Sequence, residues 1–101
     1  MTRSTNHPGY VAFLKLLRAE RTGRGVSQVD VAEFIGNRQT FVSKIENGDR
    51  RLDVVELLEY LDAIGADPAD FVARLVTRLR TAGRKDHKLA TRVRGKPTAR
   101  K

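Results

Sequence analysis

SQVDVAEFIGNRQTFVSKIENG, residues 27–48, is the stretch that decides the architecture. Ser27 stands three residues ahead of Asp30. Its hydroxyl can accept from an early orphan amide while the carboxylate sits at the positive end of a helix, a variant of the capping box. Val31, Ala32 and Ile35 then recur at the spacing of one helical face, and Gly36 stops the run. A second helix follows over residues 38–47, with Val42 and Ile45 on its buried side and Gly48 available for a left-handed cap. Its other face is polar. Gln39, Thr40, Ser43 and Lys44 fall on one arc opposite Val42 and Ile45, because residues three and four apart share a face. The stretch therefore reads as two short helices joined by a tight turn at Gly36 and Asn37.

Upstream, residues 10–21 read as a helix in which Val11, Leu14, Leu17 and Arg18 follow three- and four-residue spacing before Thr22-Gly23-Arg24-Gly25 breaks it. Downstream, Asp53-Val54-Val55-Glu56 opens a helix that carries Leu57, Leu58, Leu61 and Ile64 inward and ends at Gly65. Asp67-Pro68-Ala69-Asp70 opens a fifth, where proline at the first helical position sacrifices no hydrogen bond. Its apolar residues are Phe71, Val72, Leu75, Val76 and Leu79, and Gly83 ends the pattern. No segment alternates with the period of a strand. The expected fold is all-α with five helices: an N-terminal arm over 1–9, one domain over 10–82 and a basic, disordered tail over 83–101.

A chain of 101 residues supports one core. With no cysteine, neither a disulfide framework nor a thiolate metal site is available. No apolar run approaches the roughly 18 residues that span a bilayer, and the N-terminus lacks the apolar stretch of a secretory signal, so a cytoplasmic location is expected. The net charge of +8 is unevenly placed: residues 1–80 carry 12 basic and 11 acidic side chains, whereas residues 81–101 carry eight Lys/Arg against Asp86. Charge alone thus points to a basic tail more than a basic domain. His7 and His87 lie in terminal segments without the partners of a metal or catalytic site. The Thr22–Gly25 loop lacks the preceding strand and Lys-Ser/Thr ending of a phosphate loop. No cofactor and no enzymatic activity are expected.

Val26-Ser27-Gln28, Val31-Ala32, Ile35-Gly36 and Phe41-Val42-Ser43-Lys44-Ile45-Glu46-Asn47-Gly48, continued by Asp49-Arg50-Arg51-Leu52-Asp53-Val54-Val55-Glu56-Leu57-Leu58, closely resemble the Cro/repressor, or xenobiotic-response-element, family of helix-turn-helix proteins. The resemblance runs from about Leu14 to Leu75 and implies a lambda-repressor-like fold whose second short helix enters the major groove of double-stranded DNA. It further implies that Gln39, Thr40 and Lys44 touch bases, that Gln28 contacts phosphate, and that Glu46 forms a structural ion pair with Arg21. The chemistry is compatible. Gln can bond adenine bidentately, Lys can reach guanine or phosphate, and the Thr methyl can meet thymine. Arg38 sits just before this arc, Asn47 follows it, and Arg50 and Arg51 look like phosphate clamps in the next loop. The expected DNA-binding set is thus Gln28, Arg38, Gln39, Thr40, Ser43, Lys44, Asn47, Arg50 and Arg51. An acid on a DNA-facing helix would repel phosphate, so Glu46 is left out of it.

The chain departs from the family pattern in three places. Arg38 stands where Ser, Thr or Pro is common, which leaves Asn37 as the alternative cap. Phe34 and Phe41 leave two aromatics open to exposure. The apolar stripe of the fifth helix is wide enough that Val72, Val76 and Leu79 either meet a second subunit or cover the first helix. The function expected is a sequence-specific transcriptional regulator, a repressor acting as a homodimer on a palindromic operator. Two alternatives remain open: an antitoxin that uses the same fold for autoregulation while holding a toxin, and a helical adaptor that binds protein.

Overall fold

The structure, a computed structural model, describes residues 7–82. Most of the expected arm and the tail over 83–101 lie outside the described residues. Five helices follow in order, α1 Pro8–Gly23, α2 Gln28–Ile35, α3 Gln39–Asn47, α4 Val54–Ile64 and α5 Pro68–Ala82, and there is no strand among the described residues. Three starts carry the caps read from sequence. Ser27 with Asp30 and Asp53 with Glu56 form complete capping boxes, and Asp67 accepts from the Asp70 amide at 2.9 Å. α1 begins earlier than its apolar spacing indicated, because His7 Nδ1 accepts from the Gly9 amide (2.8 Å) and Pro8 occupies the first turn.

The core joins all five helices through Phe13, Leu17, Val31, Val42, Ile45, Tyr60, Leu61 and Phe71, with the Phe13 and Phe71 rings meeting edge-on at 6.2 Å. α1 packs against both α3 and α5, and α2 against both α3 and α4. This arrangement corrects the sequence reading on α4 and narrows it on α1 and α5. On α1 the buried arc is Phe13, Leu14, Leu16, Leu17 and Arg21, while Val11 and Arg18 are exposed. Contact with α3 and α5 on two sides centres the covered arc on Leu17, and Val11 and Arg18 fall at its edges. On α4, Leu58 is exposed and Tyr60 is buried. Leu57, Tyr60, Leu61 and Ile64 share a three- and four-residue face, from which Leu58 is displaced by about 100°. On α5, Phe71 is fully buried, but Val72 is 43% and Val76 39% exposed, so these two valines do not cover α1. Leu79 is half-buried over the start of α1, near Gly9. No described helix is long and apolar enough to cross a membrane.

Candidate nucleic-acid interface

The turn between α2 and α3 is set by Gly36, whose φ of 74° is left-handed and suits a residue without Cβ. That conformation lets the Asn37 amide reach back to the Ala32 carbonyl at 2.9 Å, closing α2 and redirecting the chain within two residues. Arg38 is then extended, and α3 starts at Gln39, one residue later than the sequence indicated. Asn37 does not cap α3. Its Oδ1 accepts from the Arg38 amide (2.8 Å), and the start of α3 has no side-chain cap. At the far end Gly48 is left-handed, and the Asp49 amide donates to the Lys44 carbonyl at 2.8 Å.

Between these ends α3 buries Val42, Ile45 and Glu46 and turns Gln39, Thr40, Lys44 and Asn47 outward. Ser43 is half-buried and accepts from Asn47 Nδ2 at 3.4 Å. The turn places Arg38 at the edge of the same arc, exposed. Gln28, at the start of α2, is tied to the arc: its Oε1 accepts from Gln39 Nε2 at 2.6 Å. Its Nε2 donates to Glu46 Oε1 at 3.0 Å. The structure thus joins Gln28 to Gln39, a link that sequence spacing cannot show across a turn.

Glu46 is the anchor beneath this surface. Arg21 grips it with two hydrogen bonds, Nε to Oε2 at 2.7 Å and Nη2 to Oε1 at 2.8 Å, and the Tyr60 hydroxyl also donates to Oε2. The ion pair implied by the family resemblance is present and buried. Burial opposes the charge on Glu46, but the bonds from Arg21, Tyr60 and Gln28 outweigh it and hold the carboxyl below its ordinary value. Tyr60 is pushed well up, first by burial and then by its bond to Glu46, so it stays a neutral donor. The sequence reading missed Tyr60, and the signal was faint: a tyrosine in an amphipathic helix fits either face.

Arg50 and Arg51 occupy the loop after α3. Arg50 forks onto Glu56 with two bonds of 2.9 Å and lies 4.6 Å above the Phe41 ring, which is half-buried. Arg51 lies 5.0 Å over the Tyr10 ring. Both guanidiniums are therefore oriented by the domain, with the Arg50 side chain still 41% exposed. Arg18 was also missed as a surface cation. Its side chain is 51% exposed, and its Nε stands 3.6 Å from Glu46 Oε1, the same atom that accepts from Gln28. The signal was available in principle, since Arg18 precedes Arg21 by one helical turn on α1. Phe34 is 60% exposed on α2, apart from the arc. Among the described residues, no cluster of three His, Cys, Asp or Glu side chains stands where it could hold a metal.

Two short helices closed by left-handed glycines, the second presenting amides, hydroxyls and cations, define a helix-turn-helix DNA-binding domain. The family model described as Helix-turn-helix matches residues 17–71. Among solved structures, the chain is similar to an XRE-family like protein from Pseudomonas syringae pv. tomato str. DC3000, at 38% identity and a TM-score of 0.68, over 73% of this chain and 90% of that one. A search of curated proteins gave no match. The chain belongs to the helix-turn-helix family of the Cro/repressor, or XRE, type, and is a DNA-binding regulator of transcription.

Proposed function

We propose that the protein is a sequence-specific repressor that works in the cytoplasm by occupancy rather than catalysis, bound to a palindromic operator as a two-fold homodimer with α3 in each major groove. The observation that carries this reading is the α3 arc. Gln39, Thr40 and Lys44 are exposed opposite buried Val42 and Ile45, so base-reading chemistry sits on a rigid helix held by the core. Arg38, Ser43 and Asn47 extend the arc, while Gln28, Arg50 and Arg51 serve as phosphate contacts beside it. The exposed Val72 and Val76 on α5 support a second subunit, since two-fold partners bury the same apolar surface on each copy. Selection of binding sites from random duplex DNA tests the reading. The expected result is a palindromic motif with half-sites about one helical turn apart, roughly 10 base pairs centre to centre. Recovery of unrelated sequences with no motif would sink it.

A further inference from the structure

α4 and its cap, residues 53–64, hold four acids and no Lys or Arg. Asp53 and Glu56 are used within the domain: each accepts from the other's amide at the helix start, and Glu56 also holds Arg50. Glu59 and Asp62 are exposed, and neither has an ion-pair partner among the described residues. They share the outward face of α4 with Val55 and Leu58, because residues three and four apart lie together on a helix. Val54 borders the same face, and the three apolar side chains are 70% (Val54), 65% (Val55) and 44% (Leu58) exposed. Covering such a patch is favourable, but its acidic edge restricts what can cover it. Duplex DNA is repelled, and the same face of a second copy would set like charges against each other. The occupant that fits is basic and carries a few sizeable apolar groups.

The chain supplies one itself. Residues 83–101 bring eight Lys/Arg against Asp86, and their two sizeable apolar residues each stand beside cations: Leu89 next to Lys88, and Val93 between Arg92 and Arg94. The distance can be spanned. α5 runs 15 residues from the turn after α4 to Ala82, a length of about 22 Å. Residues 88 and 94 stand six and twelve positions beyond Ala82, so an extended chain carries them about 20–40 Å. That is enough to return along α5 to Asp62 and on to Val55.

We propose that the outward face of α4 is a docking site for residues 88–94 of the same chain, with Leu89 and Val93 on Val55 and Leu58 and the adjoining cations on Glu59 and Asp62. α4 and DNA phosphates then compete for one set of cations. Residues 83–101 carry eight cations and α4 four acids, so the denser charge of a duplex takes the segment off α4 and still gains from it. The exchange is blind to base sequence, so it sets how readily the segment engages any duplex and does not depend on which bases α3 reads.

The chain has no cysteine, so Thr98→Cys gives a single attachment point for a nitroxide, whose unpaired electron broadens the nuclear magnetic resonance signals of nearby amides. On the isotope-labelled full chain at low salt, the amide signals of Val55, Leu58, Glu59 and Asp62 are expected to lose most of their intensity, with those of α3 much less affected. Raising the salt to about 1 M, where screening limits charge to roughly 3 Å, should restore them. Adding a scrambled duplex should do the same. Glu59→Gln with Asp62→Asn, at exposed positions that hold no partner in the fold, should leave the α4 signals sharp. Leu89→Ser with Val93→Ser should do so without changing any charge. Sharp α4 signals in the labelled chain without these changes, or broadening spread evenly over the domain, would overturn the proposal. So would broadening that persists in either double variant. A mixture of nitroxide-bearing chain with separate isotope-labelled chain should show no loss at α4. Broadening there instead would place the segment of a second copy on α4 and rule out the contact within one chain.

Discussion

Glu46 and Arg50 carry opposite kinds of ion pair. The Arg21–Glu46 pair is buried, bidentate and joined by Tyr60 and Gln28. Removing one partner strands a charge in the core, so Glu46→Ala is expected to cost about 3–5 kcal/mol in urea unfolding, whereas the Arg21→Met, Glu46→Gln double change costs far less. The pH dependence follows. The folded pKa of Glu46 is depressed, so its contribution is complete above the carboxyl pKa of the unfolded chain and is lost as pH falls through the folded value. Stability should therefore decline below about pH 4, and the double variant should decline less steeply. Equal slopes would show that the carboxyl gains nothing from its partners. Part of the slope should survive in both chains, because Glu20 and Glu56 are also held low, each chiefly by an arginine hydrogen bond at the surface. Arg50 is exposed enough that its bond to Glu56 contributes under about 1 kcal/mol to stability. Arg50→Ala should thus leave thermal unfolding nearly unchanged while weakening operator and unrelated duplex alike, with a salt slope smaller by roughly one unit. A selective loss of operator binding would instead make Arg50 a base reader.

The helices show which features a sequence can disclose. Caps and terminators were legible because they are local: Ser27, Asp53 and Asp67 each act within three residues, and Gly36, Gly48 and Gly65 each adopt the left-handed conformation that ends a helix. The polar arc of α3 was equally legible, since periodicity alone separates Gln39, Thr40 and Lys44 from Val42 and Ile45. The exposure of Val11, Leu58, Val72 and Val76 was not legible, because the width of a buried stripe depends on which neighbours cover it. The Gln28–Gln39 bond was hidden for the same reason, lying across a turn whose angle only the folded chain defines. α3 differs from its neighbours in having no side-chain cap at Arg38. Arg38→Ser should supply one, raising stability by about 0.5–1 kcal/mol, yet it also removes a cation from the DNA-facing edge. Stability and DNA affinity should move in opposite directions, read by urea unfolding and by binding isotherms on one preparation. A variant that gained stability and kept its affinity would take Arg38 out of the contact set.

At the scale of the whole molecule, charge and specificity reside in different parts of the chain. Residues 1–80 are close to neutral, with 12 basic and 11 acidic side chains, and four of the cations also pair within the domain: Arg21 with Glu46, Arg50 with Glu56, and Arg24 and Arg74 with Glu20. The folded domain therefore brings almost no net charge to DNA, and its contribution depends on where its cations stand, with Arg50 and Arg51 oriented over the Phe41 and Tyr10 rings in the loop after α3. The segment from Thr81 onward brings eight Lys/Arg against one Asp, with Leu89 and Val93 its only sizeable apolar residues. Each cation that neutralises a phosphate releases counterions whatever the sequence beneath it, so this segment should act on affinity and salt dependence alone. A chain ending at Ala82 is expected to bind both operator and scrambled duplex more weakly, with a shallower salt slope, while the ratio between the two affinities at a given salt stays within about threefold. Fluorescence anisotropy across a salt series, on the full and shortened chains, measures both quantities. A shortened chain that kept its salt slope and lost discrimination would move part of the sequence reading out of α3 and into the tail, since no other feature of the domain would have changed.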